Sequence, residues 1–228
     1  MIPKIIIQIY KSYDELPKNY KLFIKTIKKN HPDFEYMHFN DNDDMLNFIK
    51  EKFPEYLDKF NSFKYIIQKI DFFRYLAIYY YGGFYLDSDV ELYKKLNCLL
   101  NHQCVFPVEF DLNTIVYFLS KYRIPEIKKY SGIQTLTDQI GQYAFAAEKN
   151  HPFIKKIIDN IVNQIIPEED IPVNNKEEEV CCTTGPRIVT LTYFDYTNKS
   201  DITLIKPTKY ENMMFGDYGK HHNNGSWK

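Results

Sequence analysis

The chain has 228 residues, enough to bury most of its apolar surface in one core and few for two separate domains. Hydrophobic residues make up 44% and charged residues 26%, which excludes a largely disordered chain. A formal net charge of −1 leaves no basic excess to neutralise a phosphate backbone, so nucleic acid is excluded as the expected partner.

The opening MIPKIIIQIY is apolar but short, without a basic region ahead of it or a small-residue cleavage site behind it. No apolar run approaches the ~20 residues of a membrane span, so the expectation is a cytoplasmic chain with no transmembrane segment. Cys98, Cys104, Cys181 and Cys182 form no C-x-x-C unit, which argues against structural zinc. Cys181 and Cys182 are expected as two reduced thiols, and the usage fits a reducing compartment.

Residues 4–10 are a β-branched run after Pro3 and predict a buried parallel strand. Tyr20, Phe23, Ile24 and Ile27 recur at helical spacing and predict a helix over 18–30, ended by His31-Pro32. Residues 34–39 alternate as a second strand. Asn40 to Asp43 read as a turn and cap leading into a helix over 43–52. The run 63–81 is too long for a strand. Its Ile66, Ile70, Phe73, Ala77 and Tyr80 predict a helix with one core-facing stripe, stopped by Gly82-Gly83. FYLDSDV follows as a strand whose end carries two acids. Residues 4–93 thus read β-α-β-α-α-β, the signature of a parallel sheet covered by helices.

The second half is less regular. Residues 105–110 are strand-like, and 111–135 read as an insertion or helical flap. Residues 138–149 and 151–166 are helical in pattern, 167–179 read as an acidic surface loop, and 202–207 as the last strand before a polar tail. There is no internal repeat and no linker, so residues 1–228 are expected as one domain.

Asp87-Ser88-Asp89 is the chemical centre. Side chains two apart on a strand point the same way. Two carboxylates placed so repel unless a cation sits between them, and oxygen ligands suit Mg²⁺ or Mn²⁺. A bare D-x-D triplet is more often an acidic turn, but here a long helix, a Gly-Gly stop and an aromatic strand precede it. Asp71 and Arg74 share a helix face at i,i+3. Arg74 there is placed to meet a phosphate or hold an acid.

The segment QKIDFFRYLAIYYYGGFYLDSDV resembles the signature of glycosyltransferase family 32, whose D-x-D sugar transferases include Och1-like mannosyltransferases and α-1,4-galactosyltransferases. The family pattern is roughly S-D-x-x-R-Y-x-x-L-x-x-x-G-G-x-Y-x-D-x-D. The chain supplies Asp71, Arg74, Tyr75, Gly82, Gly83, Tyr85, Asp87 and Asp89, and departs at Ile70 and Ile78. IPKIIIQIY resembles I-P-K-I-I-H-Q-x-W, with Ile7 for His and Tyr10 for Trp. IGQYAFAAEKNHPF resembles a family helix, with Gln142 in the usual Asn position. TTGPRIVT resembles the T-G-P segment, and HHNNGSW the H-H-W-x-x-S-W tail, with Asn223 for the first Trp.

The resemblance implies a GT-A-type α/β fold, a mixed, mostly parallel sheet flanked by helices. Residues 1–93 would form the nucleotide-binding half and 94–228 the acceptor side and metal-binding tail. It implies a metal-dependent, retaining transfer of a hexose or N-acetylhexosamine from a nucleotide sugar, UDP-linked in preference to GDP-mannose. The acceptor would be a glycan, glycolipid or glycoprotein. Carried over by position, Asp87, Asp89, His221 and, as second choice, His222 would hold Mn²⁺ or Mg²⁺. Asp87, Asp89 and Arg74 would act in catalysis. Gln8, Ile9 and Tyr10 would lie against the nucleotide. Asp71, Tyr75, Gly83, Ser88, Gly185, Pro186, Ser226 and Trp227 would complete the donor site, with Lys220 or Lys228 adding positive charge. Two rivals stand beside this reading. One is a metal-dependent phosphoryl enzyme, which needs more clustered acids. The other is a non-catalytic nucleotide-sugar- or carbohydrate-binding domain of the same fold.

Overall fold

The computed structural model describes residues 1–40, 43–110, 139–171, 175–209 and 211–223. The expected flap at 111–135 and the tail residues Ser226, Trp227 and Lys228 lie outside them.

The first half follows its hydrophobic periodicity. β1 (Ile5–Ile9) is followed by α1 (Lys18–Asn30), which buries Tyr20, Phe23, Ile24 and Ile27 and carries Lys28 and Lys29 in its last turn, where cations suit the helix dipole. β2 (Glu35–Phe39) leads to α2 (Asp43–Lys52), with Asp43 and Asp44 at its start and Lys50 and Lys52 at its end. A short α3 (Leu57–Ser62), not expected from the sequence, precedes α4 (Ile66–Tyr81). Residues 63–65 stay outside α4, whose start is fixed by Gln68 Oε1 accepting from the Tyr65 N–H at 3.0 Å.

The single-stripe expectation for α4 fails. Ile66 is exposed, whereas every residue from Asp71 to Ile78 is buried. A helix apolar all round is one covered all round, and the two charges it carries there must find partners inside the protein. Gly82 ends α4 at φ 70°, and Gly83 at φ 98° opens β3 (Gly83–Leu86). A Cβ at Gly83 would come 2.6 Å from the Ile5 carbonyl oxygen, so this glycine lets β3 lie against β1. β4 (Val90–Leu92) follows after a turn.

β5 (Cys104–Phe110), β6 (Gln139–Ile140) and β7 (Ala144–Ala147) come next, then α5 (Pro152–Val162), α6 (Lys176–Thr183), α7 (Pro186–Asp195) and β8 (Ile202–Ile205). The helix expected over 138–149 is therefore two strands. Ala is the strongest helix former, but propensity yields to tertiary context, and Ala144–Ala147 is fully buried between β3 and β5 with both faces covered. The acidic loop expected over 167–179 is partly the start of α6, where Asn175 caps the Glu178 N–H. β8 is not the last strand. β9 (Met214–Phe215) and β10 (Gly219–His221) follow it.

The main sheet runs β2-β1-β3-β7-β5-β6, with β8 also on β5. β1, β2 and β3 are mutually parallel, as are β5 and β8, while β7 and β6 run against their neighbours. Five of the seven strands therefore point one way, a mixed and mostly parallel sheet with helices packed on it. Period-two alternation sorts side chains between two cores. Ile7, Tyr85, Phe145 and Phe106 face α2, α4 and α5, whereas Ile6, Phe84, Ala144 and Val105 face the other side with Phe215. A small antiparallel sheet, β4-β10-β9, ties residues 214–221 to the segment after β3.

Candidate active site

Gly83 to Leu86 are strand, and Asp87-Ser88-Asp89 is the turn between β3 and β4, closed by the Val90 N–H donating to the Asp87 carbonyl at 3.0 Å. The acids therefore converge by a turn, not by strand alternation as expected. Alternation instead pairs Tyr85 with Asp87: the Tyr85 hydroxyl donates to Asp87 Oδ1 at 2.5 Å. The turn's backbone is held from both sides. The Asp87 N–H donates to the Tyr143 carbonyl at 2.7 Å, and Gln8 Nε2 donates to the carbonyls of Leu86 and Asp87 at 3.3 and 3.2 Å.

Asp71 and Arg74 reach this turn from α4. Arg74 Nη2 lies 2.9 Å from Asp71 Oδ1 and 3.5 Å from Asp87 Oδ1, Nη1 donates to the Gln142 carbonyl at 3.1 Å, and the guanidinium lies 4.6 Å from the Tyr85 ring centroid. Asp71 also accepts from Gln142 Nε2 at 3.0 Å and Thr184 Oγ at 2.9 Å. Asp71 and Arg74 are 1% and 3% exposed, so the pair is no surface bridge. Burial pushes the Asp71 carboxyl up to about 6, against the pull of Arg74 and Thr184. Burial raises Asp87 too, opposed by Arg74 and His221.

His221 completes the cluster because β10 pairs with β4 in a register that sets His221 opposite Val90, beside Asp89. Its Nε2 is 3.1 Å from Asp89 Oδ1 and 3.8 Å from Asp87 Oδ2. Its ring stacks on Tyr143 at 4.5 Å, and Nδ1 is buried without a hydrogen-bond partner. Burial works to lower the His221 pKa, but the bond to Asp89 and the charge of Asp87 outweigh it and raise it. One ligand atom from each of Asp87, Asp89 and His221 lies within 4.8 Å of the others. Two carboxylates and an imidazole aimed at one point fit a divalent cation, and the nitrogen favours Mn²⁺ over Mg²⁺.

His222 is not part of this set. It points away, 3.0 Å from Glu91 and stacked on Phe23. Along β10, Lys220 alternates to the other side and pairs with Glu211. Tyr10 stacks on His38 at 3.8 Å, and its hydroxyl lies 3.4 Å from that of Tyr36. Gln8, fully buried, serves the turn's backbone. Neither Gln8 nor Tyr10 lines the cavity, whereas Ile9 does.

That cavity, of about 320 Å³, opens over the turn and is lined by Asp71, Arg74, Asp87, Ser88, Asp89 and His221 among others. Pro186 lines it at the start of α7, while Gly185 supports the α6–α7 corner: a Cβ there would come 2.7 Å from the Cys181 Cα. Tyr75 lies behind the wall and donates to the Gln142 side chain. Sequence reasoning passed over Tyr143, Glu109 and the Glu178–Arg187 pair, which closes at 3.0 Å. Tyr143 follows the matched Gln142, a faint signal. Glu109 ends an apolar strand and Glu178 sits in an acidic run, so neither had one. All four cysteines are free thiols.

The fold is that of GT-A glycosyltransferase domains. The PaToxG glycosyltransferase superposes with a TM-score of 0.52 over 88% of this chain and 72% of that one, at 19% identity. In sequence, residues 17–106 match the family described as "Glycosyltransferase sugar-binding region containing DXD motif". Mannosyl phosphorylinositol ceramide synthase SUR1 of Saccharomyces cerevisiae is 40% identical over 100 residues, 44% of this chain and 26% of that protein. An uncharacterized glycosyltransferase, L373, of Acanthamoeba polyphaga mimivirus is 28% identical over 210 residues, 90% of this chain and 71% of that protein. The match to SUR1 and to inositol phosphoceramide mannosyltransferase 3 of Schizosaccharomyces pombe thus spans about a quarter of the length of those proteins. Among the described residues, no helix is long and apolar enough to cross a membrane.

Proposed function

We propose that the chain is a metal-dependent glycosyltransferase that moves a hexose from a nucleotide sugar to a hydroxyl acceptor. The observation that carries this is the convergence of Asp87, Asp89 and His221 at the mouth of a cavity whose wall holds Arg74. Residues 1–228 act as one domain in this reading, and the four thiols suit the reducing cytoplasm.

Asp87, Asp89 and His221 would hold Mn²⁺. The bound ion supplies Lewis-acid neutralisation of the diphosphate as it departs. The chain's own groups do the rest. Arg74, fixed by Asp71, the Gln142 carbonyl and the Tyr85 ring, keeps a preset positive charge beside the leaving oxygens at no cost of reorganisation. Thr184 and Gln142 hold Asp71, so Arg74 cannot turn away. Gln8 and Tyr143 fix the backbone of the acid-bearing turn. Ile9 and Tyr20 line the cavity on the β1 side, where the nucleotide base would rest. Retention at the anomeric carbon is proposed on the family resemblance. The names of the fungal relatives favour a mannosyl donor and a glycolipid acceptor over a galactosyl one.

The test is hydrolysis of a panel of UDP- and GDP-sugars with Mn²⁺, with EDTA, and in Asp89→Asn. Release of nucleoside diphosphate from one donor, lost under both controls, is the expected result. Binding without turnover of any donor, with or without acceptor, would mark a binding domain instead. Neither binding nor turnover across the panel would sink the reading.

A further inference from the structure

Glu109 is the buried cavity carboxylate to which the reading above gives no task. Asp71 and Asp87 face Arg74, Asp89 faces His221, and Glu178 faces Arg187. Glu109 is 8% exposed, and its partner is a neutral amide, Gln139 Nε2, which donates to Oε2 at 2.9 Å. An ionised carboxylate has about four lone-pair sites to fill, and leaving them empty in a buried place is costly. Burial accordingly pushes its carboxyl up to about 6.

Its placement is built by the strand. The β5–β6 ladder slips between Val108 and Phe110, so Glu109 sits at the irregularity. Such bulges re-aim one side chain and are frequent beside active sites. Gly141 on the facing segment keeps the space clear. A Cβ there would come 3.3 Å from the Glu109 Cβ and 2.6 Å from the Tyr143 ring. Only β7 separates β5 from β3. At ~4.8 Å per strand, Glu109 therefore stands roughly 10 Å across the sheet from the end of β3. That separation leaves room for a sugar ring next to a diphosphate held at the Asp87–Asp89 turn. Sugar hydroxyls are the donors that such a carboxylate lacks.

We propose that Glu109 is a substrate-binding residue whose carboxylate accepts hydrogen bonds from the hydroxyls of a sugar ring held between it and the Asp87–Asp89 turn. The inference rests on the glycosyltransferase reading. The ring is either the one being transferred or the one that attacks, and both present the same hydroxyl chemistry.

The experiment is calorimetric titration of the full chain in Mn²⁺ with UDP, GDP, and the UDP- and GDP-sugars. It compares wild type, Glu109→Gln and Glu109→Ala. The readout is the ratio of sugar-nucleotide affinity to plain nucleotide affinity, which a merely structural residue would leave alone. If the transferred ring is held, Glu109→Ala cuts this ratio at least tenfold and Glu109→Gln, which still offers a carbonyl oxygen, cuts it less. If the attacking ring is held, the ratio stays and kcat/KM for the acceptor falls at least tenfold at unchanged donor KM. The near-isosteric Gln variant keeps the test open if the Ala variant fails to fold. Both readouts within twofold of wild type in a folded variant would overturn the proposal. A wild type that binds no nucleotide sugar would remove the glycosyltransferase reading itself, and this proposal with it.

Discussion

Two arginines line the same cavity, and they are used differently. Arg74 is shared between Asp71 and Asp87, with Asp89 two positions further along the turn, so among the described residues carboxylates outnumber the arginine there. Arg187 faces Glu178 at 3.0 Å and donates to Cys182 Sγ at 2.6 Å. Among the described residues the first arrangement has a deficit of positive charge that a metal would fill. The second ties the start of α7 to α6. A buried ion pair alone says little about function; an unbalanced one in a cavity does.

The sharpest way to break this contrast is to remove the deficit. Asp89→Asn should lower metal-dependent turnover at least 10³-fold, about 4 kcal/mol of barrier, measured as initial rates at saturating donor. Retained turnover would detach the turn from the chemistry. Next, Arg74→Met strands two acids and should cost about 3–5 kcal/mol in urea unfolding. Adding Asp71→Asn should recover part of that loss. Arg187→Met should cost less, about 2 kcal/mol, because its pair is less deeply buried. The rise in Tm given by Mn²⁺ should survive in Arg187→Met and vanish in Asp89→Asn. An equal response in both would erase the distinction.

The smallest effect concerns pH. Asp71 and Glu109 have folded pKa values of about 6, above their unfolded values, and His221 is raised as well. A raised folded pKa gives stability that is full below the unfolded pKa and lost as pH rises through the folded one. Metal-free protein should therefore show a Tm that falls from about pH 5 to 8. Mn²⁺ should flatten the profile at its alkaline end, and Glu109→Gln should shrink the slope. His31 and His151, lowered by burial, work in the opposite sense, so the decisive reading is the difference: a Glu109→Gln profile identical to wild type would contradict the burial of this acid.

The half of the molecule that precedes the acidic turn was readable because its periods were clean. Tyr20 to Ile27 marked α1, alternation marked β2, and the Gly82-Gly83 pair marked the end of α4. The second half misled where burial overrode propensity. Ala144–Ala147 looks helical, yet its place between two strands makes it sheet. The acidic run before Cys181 looks solvated, yet Glu178 is buried because Arg187 reaches it from the next helix. The family resemblance placed His221 ahead of His222, but no local pattern separated the two. The pairing of β10 with β4 turns one toward the acids and the other toward Glu91.

What the sequence by itself determined is which chemical groups were candidates, by spacing and by family resemblance: Asp71, Arg74, Asp87, Asp89 and His221, together with the glycines that let strand and helix meet. Local spacing carries the shared helix face of Asp71 and Arg74 and the neighbouring acids of the turn, whereas His221 entered only through the resemblance of the tail to a family motif. Which groups share a cavity was decided by the tertiary structure alone. Glu109, Gln142, Tyr143, Thr184 and His221 come from distant parts of the chain and meet at the turn through sheet order, a ladder irregularity and the return of β10. No local pattern encodes those meetings, because strand pairing and helix packing are fixed by the burial of the whole core.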